Sequence, residues 1–113
     1  MDDVIDTYTR AQALADGVLV DVTEAARRVG FRCPVALTEV LMAQIEASSL
    51  TGRLEDVLWL AYLAIKRGDG DGTTLFYRML LPTATQQVHT LKLVSGPGDD
   101  LEPVITIMLA HED

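Results

Sequence analysis

The spacing of apolar residues along this chain changes once, at Gly68. Before it, apolar positions recur at helical intervals; after it they alternate. Over residues 3–15, Val4, Tyr8, Ala11 and Ala15 share one stripe, which predicts a helix that Gly17 is placed to end. Val18–Val22 is an apolar run too short for periodicity to decide, and it fits a strand. Asp21 and Glu24 have capping-box spacing and open a short helix over 22–29, closed by Gly30. Pro34 suits a first helical position. From there Ala36, Leu37, Val40, Leu41, Gln44 and Ile45 form a stripe reaching residue 47. Ser48–Gly52 reads as a turn. Leu54, Val57, Leu58, Ala61, Tyr62 and Ile65 carry the next helix, apolar on most sides and so expected to be central.

Beyond the GDGDG connector at 68–72 lie three β-like runs, over 73–81, 87–94 and 104–110. Pro82 and the Ser95–Asp100 segment separate them. The expectation is an α+β protein in a single domain spanning 1–113. Its N-terminal helices (1–67) would pack on a C-terminal three-stranded antiparallel sheet (73–110).

Apolar residues make up 49% of the chain and aromatics 5%, so the core must be built from Leu, Val, Ile, Ala and Met. No apolar run approaches the ~18 residues that cross a bilayer. The first ten residues, MDDVIDTYTR, are acidic where a secretion signal is basic. Both features point to the cytoplasm and away from a membrane. Cys33 is the only cysteine, which excludes an internal disulfide and a cysteine-rich metal site. It reads as a small buried hydrophobe, with Arg32 as the local feature able to lower its pKa.

Charge alters the picture most. Seventeen acidic side chains stand against nine basic ones, a net charge of −8. Such a field repels nucleic acid and attracts basic surfaces. The stretch DVTEAARRVGFRCPVALTEVL is similar in rhythm to the helix-turn-helix of arabinose-regulator-type activators. Its second helix would offer Thr38, Glu39, Gln44 and Glu46, with no basic residue after Arg32, which is poor equipment for base edges. SGPGDD at 95–100 lacks the ligand spacing of an EF-hand and the Lys of a phosphate loop, and reads as a hairpin connection. In a meander, this loop and GDGDG fall on one edge of the sheet. Asp69, Asp71, Asp99, Asp100 and Glu102 would then form one acidic, partner-binding patch.

The remaining chemistry is thin. His89 and His111 have no metal-ligand spacing, and Ser48, Ser49 and Ser95 lack a nucleophile-elbow context. No cofactor or metal is expected. Glu55 and Asp56 suit the start of a helix dipole. Trp59 and Tyr62 are expected in the core, with Met42, Met79 and Met108 as gap fillers.

The blocks ADGVLVDVTEAARRVGF, PVALT, GRLEDVLWL and SGPGDDLEPVITIML resemble a family of small proteins of unknown function carried on bacterial plasmids and prophages. That resemblance implies a mobile-element setting, in which small acidic proteins disarm host defence. The leading expectation is a non-enzymatic inhibitor, such as an anti-CRISPR protein, that binds a basic nucleic-acid-holding surface of a host protein without touching nucleic acid itself. A helix-turn-helix regulator is the alternative. An enzyme or metal-binding domain using His89 and the acidic loops is the third.

Overall fold

The computed structural model describes residues 8–46, 53–68, 72–80 and 88–112. Helix α1 covers Arg10–Ala15, strand β1 Leu19–Asp21, helix α2 Thr23–Val29 and strand β2 Val35–Thr38. Helices α3 (Glu39–Glu46) and α4 (Arg53–Arg67) follow, then strands β3 (Thr74–Leu80), β4 (Val88–Pro97) and β5 (Pro103–Leu109). The class is α+β, but the sheet is larger than the alternating runs suggest. It has five strands, in the order β1-β2-β5-β4-β3. Strands β3, β4 and β5 form the antiparallel meander. Strand β2 then pairs with β5 in parallel, and β1 lies antiparallel to β2 at the far edge. The first 67 residues therefore interleave helices with two strands and are not an all-helical layer.

The helix expected from Pro34 is the main correction. Val35, Ala36 and Leu37 are strand residues, and all three are buried. Strand β2 has a neighbour on each side; Val35 and Leu37 join the main core and Ala36 points to the opposite face. A strand covered on both faces shows a continuous apolar run in place of alternation, so its residues carry no period of two. The helix starts only at Glu39, where the Thr38 hydroxyl accepts from Leu41 N at 3.3 Å. A strand thus stands between α2 and α3, and the helix-turn-helix is not formed.

Two smaller expectations also change. Residues 3–7 of the first expected helix lie outside the described residues, and Tyr8 and Thr9 are not helical. Thr9 caps α1 in a capping box. Its hydroxyl accepts from Gln12 N at 3.0 Å, and the Gln12 side chain accepts from Thr9 N at 2.8 Å. Ala13 is the buried residue of α1, while Tyr8, Ala11 and Ala15 are exposed. The capping box expected at Asp21 is absent; Val22 is the N-cap, and Asp21 accepts instead from Thr23 N at 3.1 Å. The 48–52 turn and the break at Pro82 lie outside the described residues.

Helices α2 and α4 pack on one face of the sheet. Ala25, Ala26, Val57, Leu58, Ala61 and Ala64 share a core with inward residues of β2, β3, β4 and β5, among them Leu37, Leu91 and Ile107, and Val20 of β1 packs against it. Inside this core the Tyr77 hydroxyl donates to Val57 O at 3.1 Å, and burial raises its pKa far above the ordinary phenol value. Trp59, expected in the core, is 49% exposed. Two residues past the buried Val57 is about 200° around a helix, so its indole leaves the core side. It stacks on Tyr62, with ring centroids 6.1 Å apart and planes at 19°. Tyr62 in turn meets Phe31 edge-on at 5.7 Å. Gly30, at φ +135°, ends α2 directly under this cluster.

Candidate functional site

The short helix α1 and the 98–102 loop build one site across the end of the sheet. Asp99 reaches from the loop to the start of α1. Its Oδ1 accepts from Arg10 N and its Oδ2 from Ala11 N, both at 2.9 Å. With Thr9 serving Gln12, the first three amides of the helix are all satisfied, which matters because a helix start leaves its donors orphaned. The Arg10 side chain turns over the sheet, donating to Thr106 Oγ1 at 2.7 Å and to Ile105 O at 3.0 Å. Partial burial lowers its pKa, opposed by the carboxylates of Asp21, Asp99 and Glu102 around it. The loop is closed on itself. Gly98 N donates to Glu102 O at 2.6 Å, Leu101 N to Gly98 O at 3.0 Å, and Asp100 N to the Glu102 carboxylate at 2.9 Å.

Three of the five expected patch residues fall among the described residues. Asp99 has both oxygens committed to α1. Asp100 and Glu102 are exposed at the loop tip. Asp69 and Asp71 lie outside the described residues. Thr73, just ahead of β3, accepts from Ser95 N of β4 at 2.7 Å through its carbonyl oxygen.

The patch gains residues that lie far apart in sequence. Asp16, Asp21 and Glu39 are exposed on the turn after α1, on β1 and at the start of α3. The Tyr8 hydroxyl donates to Asp16 Oδ2 at 2.7 Å; that bond, with the charges of Asp16 and Glu39, raises its pKa. Each of these acids looks like an ordinary surface residue in its own segment. Only the fold of α1 across β1 and the 98–102 loop assembles them.

His89 lies opposite Met79 in the β3–β4 register, with Nε2 buried and without a hydrogen-bond partner among the described residues. His111 is exposed. Among the described residues, no group of three or more His, Cys, Asp and Glu side chains could hold a metal ion. Cys33 is half-buried, and burial raises its pKa; the cation that opposes the rise is Arg10 and not the adjacent Arg32. Among the described residues, no helix is long and apolar enough to cross a membrane. No protein-family model, no curated protein and no solved structure matches the chain.

Proposed function

We propose that this domain is a non-enzymatic interaction protein that engages a basic surface of another protein through the acidic face around α1. One observation carries the proposal. Asp16, Asp21, Glu39 and the loop pair Asp100 and Glu102 come from four separate segments and stand exposed around a single six-residue helix. Arg10, the cation in their midst, has its guanidinium turned onto Thr106 and Ile105 O, away from solvent. A one-signed face on a rigid sheet end speeds encounter with a complementary surface and disfavours like-charged partners. The most concrete partner is the Arg- and Lys-lined nucleic-acid surface of a host defence complex, which makes an anti-CRISPR protein the sharpest form of the proposal. The helix-turn-helix alternative is less favoured because β2 stands between α2 and α3, and α3 starts only at Glu39.

The test is capture of partners from nuclease-treated host lysate by the tagged domain and by the Asp100→Lys/Glu102→Lys double variant. Both side chains are exposed; the charge reversal gives up the exposed bond from Asp100 N to the Glu102 carboxylate, and surface charges contribute little to stability. Wild type is expected to retain a basic protein at low salt and to release it as salt rises. The variant is expected to retain at least about tenfold less at an unchanged melting temperature. Equal capture by both proteins, or capture indifferent to salt, overturns the proposal.

A further inference from the structure

Three flanks of helix α4 have three different surroundings. Val57, Leu58, Ala61 and Ala64 face the sheet and are fully buried. Tyr62 lies on the flank toward α2, where it meets Phe31. The opposite flank carries Asp56, Leu60, Leu63 and Arg67. Steps of four, three and four residues hold these on one stripe of the helix. Asp56 and Arg67 are exposed, and Leu60 and Leu63 are half-buried. Leu60, Leu63 and Arg67 wall an open groove of about 420 Å³. Its other side is β3, the outermost strand at this edge of the sheet, with Phe76 on it. Phe76 is 54% exposed. Single apolar residues at a surface need no explanation, but leucines and a phenylalanine gathered along one groove point to a contact surface.

The stripe also complements itself. Its midpoint falls between Ala61 and Tyr62 along the helix. Leu60 and Leu63 stand equally far from that midpoint on its two sides. Asp56 and Arg67 do the same, farther out. A two-fold axis through the midpoint turns the stripe end for end. It then sets leucine against leucine in the middle and carboxylate against guanidinium at both ends. A symmetric dimer demands this property, because the same patch must serve as both partners. A foreign segment would have to bring a base and an acid about 16–17 Å apart, in the reverse order, because Arg67 lies eleven residues of helix beyond Asp56. A wholly apolar surface would strip water from both charges without pairing them, which is costly.

We propose that α4 packs antiparallel against α4 of a second copy of this chain in a two-fold dimer. Leu60 meets the partner's Leu63, and Asp56 pairs with the partner's Arg67, each contact being made twice. Helices in contact keep their axes about 8–10 Å apart, so the leucines of each copy enter the groove of the other. Asp56 and Arg67 can serve this contact whatever they meet in their own chain, since exposed charges exchange partners at little cost. Helix α1 packs on β1, at the far edge of the sheet from β3, so the acidic face around it stays outside the contact.

The test is sedimentation equilibrium of the intact protein between about 1 μM and about 1 mM. The buffer holds about 0.15 M salt, so that screening over ~8 Å removes most of the repulsion between two acidic chains. Wild type is expected to pass from monomer to dimer over this range and to form nothing larger, because an isologous contact closes on itself. Leu60→Ser and Leu63→Ser are each expected to weaken the dimer about tenfold or more. Asp56→Arg and Arg67→Asp are each expected to do the same, since each sets like charges face to face at both ends. Mixed one to one, these two charge variants are expected to pair with each other about as tightly as wild type. One copy then carries bases at both ends of the stripe and the other carries acids. The double reversal Asp56→Arg/Arg67→Asp in one chain is expected to restore the symmetric dimer. A loss caused by misfolding of a single variant would not be repaired in these ways. A monomer at every concentration overturns the proposal and leaves the groove to a foreign partner. Assembly beyond a dimer, a dimer indifferent to the leucine and single-charge variants, or no recovery in either the mixture or the double reversal also overturns it.

Discussion

Gly30→Ala isolates how the end of α2 and the aromatic cluster depend on each other. The backbone at Gly30 has φ +135°, a region that L side chains rarely enter. Forcing a Cβ into it costs about 1–3 kcal/mol. The added Cβ would also stand 2.9 Å from both Cε1 and Cζ of Tyr62 and 3.2 Å from its hydroxyl oxygen. Tyr62 has little room to retreat, with Phe31 against its edge and Trp59 stacked on it. Overpacking of this kind costs about 1–3 kcal/mol more. The combined loss is about 2–6 kcal/mol. At ~2.1 cal/mol/K of unfolding entropy per residue, the chain loses about 8–25 °C in melting temperature. The assay is thermal and urea unfolding by circular dichroism, on wild type, Gly30→Ala, Tyr62→Leu and the double variant. Every Tyr62 atom in the clash lies beyond Cδ, so leucine removes them all while the backbone cost stays. The penalty of Gly30→Ala should shrink by about 1–3 kcal/mol in the Tyr62→Leu background. Melting of Gly30→Ala within about 3 °C of wild type, or the same penalty in both backgrounds, refutes the reasoning.

Two further outcomes follow from the contacts. Asp99→Ala should cost about 1–3 kcal/mol in urea unfolding, because two charge-assisted bonds to α1 are lost; Asp100→Ala at the same loop should stay within about 0.5 kcal/mol of wild type. Indistinguishable midpoints for these two variants would show that Asp99 does not anchor the helix. Burial holds Tyr77 protonated well above its ordinary value of 10.0. Its contribution to stability is therefore complete below pH 10 and falls as pH rises further, since the unfolded phenol ionises while the folded one does not. The slope from this group is about 1.4 kcal/mol per pH unit. Tyr77→Phe should lack that slope while losing about 0.5–1.5 kcal/mol at neutral pH for the bond to Val57 O. Parallel alkaline loss in both proteins would contradict the assignment.

The elements with a clean period were readable in the sequence. Helix α4 carries a sustained helical stripe, and β3 and β5 alternate, so their kind and approximate limits emerged from local windows. The loss came where a long-range partner decides the local structure. Val35–Thr38 is a strand because β5, almost seventy residues later in the chain, lies beside it. Nothing within the four residues distinguishes a doubly covered strand from the first turn of a helix. Asp99 belongs to the same class. Its glycine-flanked acidic setting suggests a solvated turn, yet its partners are the amides of Arg10 and Ala11. Trp59 failed for a different reason. A helix apolar on most sides hides which side faces outward, and the size of the covering sheet settles that. The acidic face was half legible: Asp100 and Glu102 were visible as a charged loop, while Asp16, Asp21 and Glu39 join them only through the path of α1 over β1.

The place of β5 in the sheet bears on how the fold is made. Of the five strands it comes last along the chain, yet it lies third in the order β1-β2-β5-β4-β3. During synthesis the β1–β2 pair and the β3–β4 hairpin emerge first and share no hydrogen-bonded edge. Each offers β5 one side: β2 through parallel pairing, β4 through antiparallel pairing. Until residues 103–109 have left the ribosome, the two halves cannot become one sheet, and α2 and α4 have only part of the surface they finally cover. The last strand is thus a keystone, and closure of the core waits for it.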